Sequence, residues 1–338
     1  MTTVVNRMPG IGTLKETGFR NLWISREGRR ILPLGKIVDG AKSRDPLNTG
    51  DVDVLRAGLL LGKITATGKY APSVLGVTAE SLESDETALD LPAAVVTEMK
   101  RRIGDSGTFK LVGPPTAGGT VRAMTATYSG FADADTVTVT ALGVNEVQTV
   151  AIAGTLSAGG YSIRLIDKDG KLKQTAVIAY NASVANVQTA LDAVTAANAI
   201  VAGGTAQSAM TLTFSGANYA ALPQTLVEII PDGLTGMTTI GVTRTTAGVD
   251  GRFVTGSLVM PTDGSETPRA IFDKADGLQV TDEDRTTNLD IQCVDLVFGG
   301  GVVDASQILN YPADAALQAW VKAQLRANSG PWVFDDDF

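Results

Sequence analysis

Few residue groups in this chain have the type and spacing that chemistry requires. Ala57-Gly-Leu-Leu-Leu-Gly62-Lys63-Ile64 has the Gly-Lys pair of a phosphate-binding loop, whose backbone N–H groups cradle phosphates while a following hydroxyl reaches magnesium. Its first glycine is missing, Ile64 stands where Ser or Thr is needed, and Leu59 to Leu61 favour a strand. Gly10-Ile-Gly12 lacks the third glycine and the preceding strand of a dinucleotide fingerprint. Asp282-Glu283-Asp284 and Asp335-Asp336-Asp337 could attract a hard cation, but a calcium loop alternates its ligands around a glycine turn, and neither run does. Asp167-Lys168-Asp169-Gly170 fits a hairpin turn, and Gly299-Gly300-Gly301 a bend between strands. Cys293, flanked by Gln292 and Val294, is expected in the core: a nucleophilic thiol needs an activating base, and the chain has no histidine to supply one. Trp332, Phe334 and Phe338 could anchor a neighbouring subunit or fold back on their own domain.

The composition narrows the function classes further. The absence of histidine removes His-based acid–base catalysis, His triads and His metal sites, and a single cysteine removes intrachain disulfides and thiolate zinc sites. The expectation is a non-enzyme with no cofactor and no metal. A net charge of −8 over 338 residues argues against nucleic acid as a partner. The N-terminus lacks the apolar core of a signal peptide, and no apolar run is long enough to span a membrane. One unpaired cysteine fits folding in a reducing cytosol.

Charge is distributed unevenly. Residues 1–50 carry nine basic and four acidic groups, a net +5 that leaves −13 on the rest. Gly and Pro recur through the same stretch, which forbids long helices. Residues 1–55 are therefore expected to form an extended arm that docks on something acidic, with Arg20, Arg26, Arg29, Arg30, Lys36, Lys42 and Arg44 as its binding cations. A solvated leader without a partner is the alternative.

The elements that would position these groups are mostly strands. LRAGLLLGKITATGKYAPSVLGVT is β-rich and punctuated by glycine. Residues 91–103 read as a short helix, with Pro92 in its first turn, a basic last turn and Gly104 as its stop. TFKLVGPP, VRAMTATYSG and DTVTVTAL read as strands. Residues 144–250 hold only 12 charged residues, half the density elsewhere, which marks a separate module. Within it, YSIRLID and KQTAVIAY form a hairpin, and Asn181-Ala-Ser183 caps a helix whose apolar face is Val184, Val187, Leu191 and Val194. Charge density recovers after residue 251, and Pro312-Ala-Asp314 opens a helix striped by Leu317, Trp320, Val321 and Leu325.

Several of these segments resemble known proteins. GLLLGKITATGKYAPSVLGV resembles the strand–turn signature of tailed-bacteriophage head decoration proteins, the lambda-D-like cement family, and GKIVDGAKSRDPLNTGDVDVLRAG before it resembles their arm. GSLVMPTDGSETP and DASQILNYPAD are similar to phage structural proteins of that group, and IAYNASVANVQTALDAV with TLTFSG is similar to immunoglobulin-like modules inserted in virion proteins. The chain departs from the family in size, through its insertion and its C-terminal helix. The resemblance implies a mainly β fold: a β-tulip or barrel-like decoration core with short helices (56–143 plus 251–338), the arm (1–55), and an inserted Ig-like β-sandwich module (144–250). It implies a structural virion protein on the capsid outer surface, made in the host cytoplasm. Its partners would be the major capsid protein and two further copies in a homotrimer. Weak contact of the outward-projecting module with cell-surface glycans is a further implication. A tail-tube or other virion component is the alternative, and a glycan-binding or glycan-hydrolysing virion protein is the enzyme alternative.

Overall fold

The computed structural model describes residues 22–337 apart from 33, 168, 206–207 and 217–218. The fold is mainly β, with three α-helices and two short 3-10 turns among the described residues. The chain divides into two compact units, one of Met1–Ser81, Ala88–Thr138 and Val254–Phe338, the other of Leu82–Thr87 and Val139–Phe253. No described helix is long and apolar enough to cross a membrane.

The first unit is assembled from short strands distant in sequence. One six-stranded sheet runs Ile291–Cys293, Lys36–Val38, Tyr70–Pro72, Leu60–Lys63, Pro268–Phe272 and Leu296–Val297. A second runs Gly76–Val77, Leu258–Met260, Gly107–Gly113, Arg122–Phe131, Thr136–Val139 and Ala88–Asp90. A three-stranded sheet joins Trp23–Ser25 to Val302–Val303 and Val333–Phe334. Helix α1 (Ala93–Ile103) begins after Pro92 and ends at Gly104, whose φ of +92° is glycine territory. Helix α3 (Ala315–Asn328) is capped by Asp314, which accepts from the Ala316 and Leu317 N–H groups, and it buries Leu317, Val321 and Leu325. Trp332 stacks on Trp23 at 6.5 Å and on Phe334 at 6.4 Å, so these C-terminal aromatics fold back into their own unit. Phe338 lies outside the described residues.

The expected arm is corrected over its described part. Leu22 and Trp23 are buried, and residues 23–25, 36–38 and 54–55 are strands paired within the first unit. Gly28, Gly40, Pro46 and Gly50 fall in turns between them. Residues 1–21 lie outside the described residues.

The second unit is built on two long strands, Val147–Ile166 and Glu228–Thr246, paired antiparallel along most of their length. Ala209–Phe214 and then Ile200–Thr205 extend the first half of Val147–Ile166, while Leu172–Gln174 and Ile178–Ala179 pair with its second half. Gly154 and Gly159, with φ of +131° and +84°, mark where the register shifts between the halves; any Cβ there would collide with the opposing backbone. Val150, Ile152 and Met210 from one half share a core with Tyr161, Ile163 and Ile178 from the other. Helix α2 (Val184–Asp192) adds Val187 and Leu191, and Ser183 caps it by accepting from the Asn186 N–H. The outer edge at Ile200–Thr205 is closed by Gln188, whose amide donates to the Ile200 carbonyl and accepts from the Ala202 N–H.

Candidate docking groove

The ITATGKY segment forms the turn of a hairpin between Leu60–Lys63 and Tyr70–Pro72. The Ile64 N–H donates to the Lys69 carbonyl at 2.8 Å and the Gly68 N–H to the Ile64 carbonyl at 2.9 Å. Gly68 takes φ +72°, which makes glycine the fitting residue there. Thr65 to Gly68 are exposed at the tip, while Leu60, Leu61, Tyr70 and Ala71 are buried below it. Both strands are buried without a break, over Leu60–Gly62 and Tyr70–Pro72, so a packed base carries the exposed turn.

Three segments fix that turn from outside. The Thr65 N–H donates to the Asp263 carbonyl at 2.9 Å, so GSLVMPTDGSETP lies against ITATGKY although some 200 residues separate them. The Asp39 N–H donates to the Tyr70 carbonyl at 2.9 Å, and Asp39 Oδ1 accepts from the Ala41 and Lys42 N–H groups. Arg102, buried at the end of α1, donates to the Pro72 carbonyl and to Ser265 Oγ, and its charge lies 3.6 Å from Asp263 Oδ2. Burial lowers the Arg102 pKa, with partial compensation from Asp263 and Glu98. Burial alone would raise the Asp263 carboxyl, but Arg102 and hydrogen bonds from Ser265 more than offset this and hold it below its ordinary value.

Two grooves flank the turn. One, of about 310 Å³, is lined by Gly35, Lys36, Ile37, Thr67, Gly68, Lys69 and Gln292. The other, of about 570 Å³, lies between the Asp39–Lys42 loop, the turn and Thr262–Glu266. Ile37 in the wall of the first is 48% exposed, and Leu34, the residue before Gly35, is 79% exposed. Lys69 is held by Asp290, whose hydrogen bond raises the lysine pKa while Lys69 lowers that of Asp290. Lys36 and Lys63 are exposed, and among the described residues neither makes an ion pair.

The seven expected binding cations are dispersed. Arg20 lies outside the described residues. Arg26 and Arg30 are exposed, and Arg29 pairs with Asp273 while lying 5.9 Å from the Trp23 ring centre. Lys36 borders the first groove, and Lys42, at the second, donates to the Arg102 carbonyl at 2.8 Å. Arg44 is corrected as a binding residue. It is buried, pairs with Asp53 and donates to the Gly40 and Ser43 carbonyls and to Asn288 Oδ1. Its guanidinium fork is fully engaged in closing the 40–53 loop. Sequence reasoning missed Lys63, Lys69, Leu34 and Gln292. Lys63 and Lys69 were visible, because they flank the Ala66-Thr67-Gly68 turn on both sides.

Cys293 is buried and its thiol is pushed up by that burial, which suits a packed residue rather than a nucleophile. Gly299, Gly300 and Gly301 all have positive φ and form a bend against Gly28 and Pro331. Leu60–Lys63, within the loop-like glycine–lysine segment, is a strand.

No family model matches the chain, and no curated protein matches it. Among solved structures, a chain from Mycobacterium phage Patience is similar over 80% of this chain and 95% of its own, at 16% identity and a TM-score of 0.23. A likeness of that size carries no argument about fold or role.

Proposed function

We propose that this chain is a structural virion protein that decorates a tailed-phage capsid, the first unit binding the outer face of the major capsid protein and the second projecting outward. The observation that carries the reading is the meeting of two distant segments, 58–77 and 256–268, both of which resemble decoration proteins, at an exposed turn rimmed by lysines and apolar side chains. The absence of histidine supports a structural rather than a catalytic role. A trimer at three-fold positions suits such a role, because three linked weak contacts raise avidity by orders of magnitude, ~10²–10⁴-fold, without a new interface.

A second reading, a tail-tube or other virion component, draws on the long strand pair. Among the described residues Glu228–Thr246 pairs only with Val147–Ile166, leaving its other edge open. The register shifts along that pair mark bulges, which are devices that protect an edge, so the decoration reading is preferred.

Co-sedimentation tests the proposal. Purified protein should pellet with undecorated expanded capsids, and less so as salt rises, since exposed charges more than about 8 Å apart are largely screened at physiological ionic strength. A shortened chain joining Gly143 to Gly251 should still pellet. These two glycines have closely approaching backbones, so the join spans little distance. Protein that stays in the supernatant at every salt concentration, or pellets only when 144–250 is present, defeats the reading.

A further inference from the structure

We propose that the groove between Gly35–Ile37 and Thr67–Lys69 receives a narrow, extended acidic segment of the capsid subunit; this rests on the decoration reading above. Three lysines converge there. Lys36 and Lys69 line the groove, and the Lys63 side chain runs alongside Gly68, with Cε 3.5 Å from the position a Cβ would take. Asp290 neutralises Lys69, and Asp39 lies farther from it at 3.9 Å. Lys36 and Lys63 have no carboxylate among the described residues, so the groove carries two uncompensated positive charges on a chain of net charge −8. The missing carboxylates are best supplied by the partner.

The shape and lining specify the partner further. A volume of about 310 Å³ is at the small end of ligand sites and admits a few side chains of a single segment, not a folded surface. Ile37 is an exposed apolar side chain in its wall, and Leu34, whose carbonyl accepts from Gln292, is exposed next to Gly35; this matches a peptide alternating acidic and apolar residues better than a bare polyanion. Gln292 adds a neutral side chain to the wall; its amide donates to the Leu34 carbonyl and ties that segment to the neighbouring strand. Rigidity of the turn, fixed by Asp263 and Arg102 from below, reduces the ordering cost of binding.

The test uses the full chain bound to undecorated capsids and treated with a carbodiimide, which joins an amine to a carboxylate only when they touch. Mass spectrometry should find Lys36 or Lys63 linked to Asp or Glu of the capsid subunit. Lys36→Glu with Lys63→Glu should weaken co-sedimentation by about tenfold or more, and Lys36→Arg with Lys63→Arg should preserve it. Both lysines are exposed, so equal thermal transitions should confirm intact folding. If the protein pellets but no link forms at these lysines and charge reversal changes nothing, the groove assignment is wrong while the decoration reading stands. If the wild-type chain does not pellet, both fall. If a poly-dT oligonucleotide binds with the same dependence on Lys36 and Lys63, the ligand is nucleic acid and the proposal is overturned.

Discussion

Glu146→Gln is expected to lower the stability of the second unit by about 3 kcal/mol, the scale for removing one charged partner from a buried network. Glu146 is 0% exposed. Its Oε1 accepts from Gln148 Nε2 at 2.7 Å and Arg244 Nε at 3.0 Å, and its Oε2 from the Gln224 N–H at 2.8 Å and the Gly248 N–H at 3.4 Å. A glutamine amide would set N–H groups against N–H groups and leave buried donors unmet. One carboxylate thus ties the entry of the module at 146–148 to its exit at 244–248 and to the loop at 224. All three tryptophans, Trp23, Trp320 and Trp332, lie in the first unit. The substitution should therefore move the circular-dichroism transition of the second unit and leave the tryptophan fluorescence transition in place. Shifts of equal size in both signals would show that the residue serves the whole chain.

The same carboxylate predicts an acid response. Burial alone would raise its pKa, but the four donors outweigh burial and hold it below the ordinary glutamate value. A depressed folded pKa contributes stability that is present above the unfolded pKa of about 4.3 and is lost as pH falls through the folded value. Acidification below about pH 4 should destabilise the second unit, and Glu146→Gln should respond less over that window.

Arg102→Met should destabilise the first unit by about 3 kcal/mol, and here the tryptophan fluorescence transition should move. The substitution leaves the Pro72 carbonyl and Ser265 without their donor and the Asp263 carboxylate without its counter-charge. Arg102→Lys should rescue little, because an ammonium cannot reach these groups with the geometry of the guanidinium fork. Adding Asp263→Asn to Arg102→Met should cost less than the two single changes together, since each single change strands the other group. Strict additivity would show that the two side chains do not act as a pair.

Local signals in the sequence carried the helices well. Pro92 and Gly104 bracket α1, Ser183 caps α2, and Asp314 caps α3, because capping depends on residues within a turn of each other. The hairpin at 161–179 was legible for the same reason. Its strand, however, begins at Val147, and the buried alternation of Gln148, Val150 and Ile152 was there to be read. The first unit was less legible. Lys36–Val38 pairs with Ile291–Cys293 across some 250 residues, and strands of three residues have too few positions to show a period. Arg44 reads as a surface cation in the sequence, because composition cannot reveal that Asp53 and two carbonyls enclose it. The groove was half visible: the ITATGKY turn was singled out, but Leu34, Gln292 and Asp263 come beside it only through long-range pairing.

The most direct measurement is an electron-microscopy reconstruction of undecorated expanded capsids saturated with the purified protein. The account predicts added density on the outer face of the shell at three-fold positions, into which the first unit fits with the Thr67–Lys69 turn against a capsid subunit. Density confined to five-fold positions or to the tail, or a shell with no added density at saturation, would contradict it.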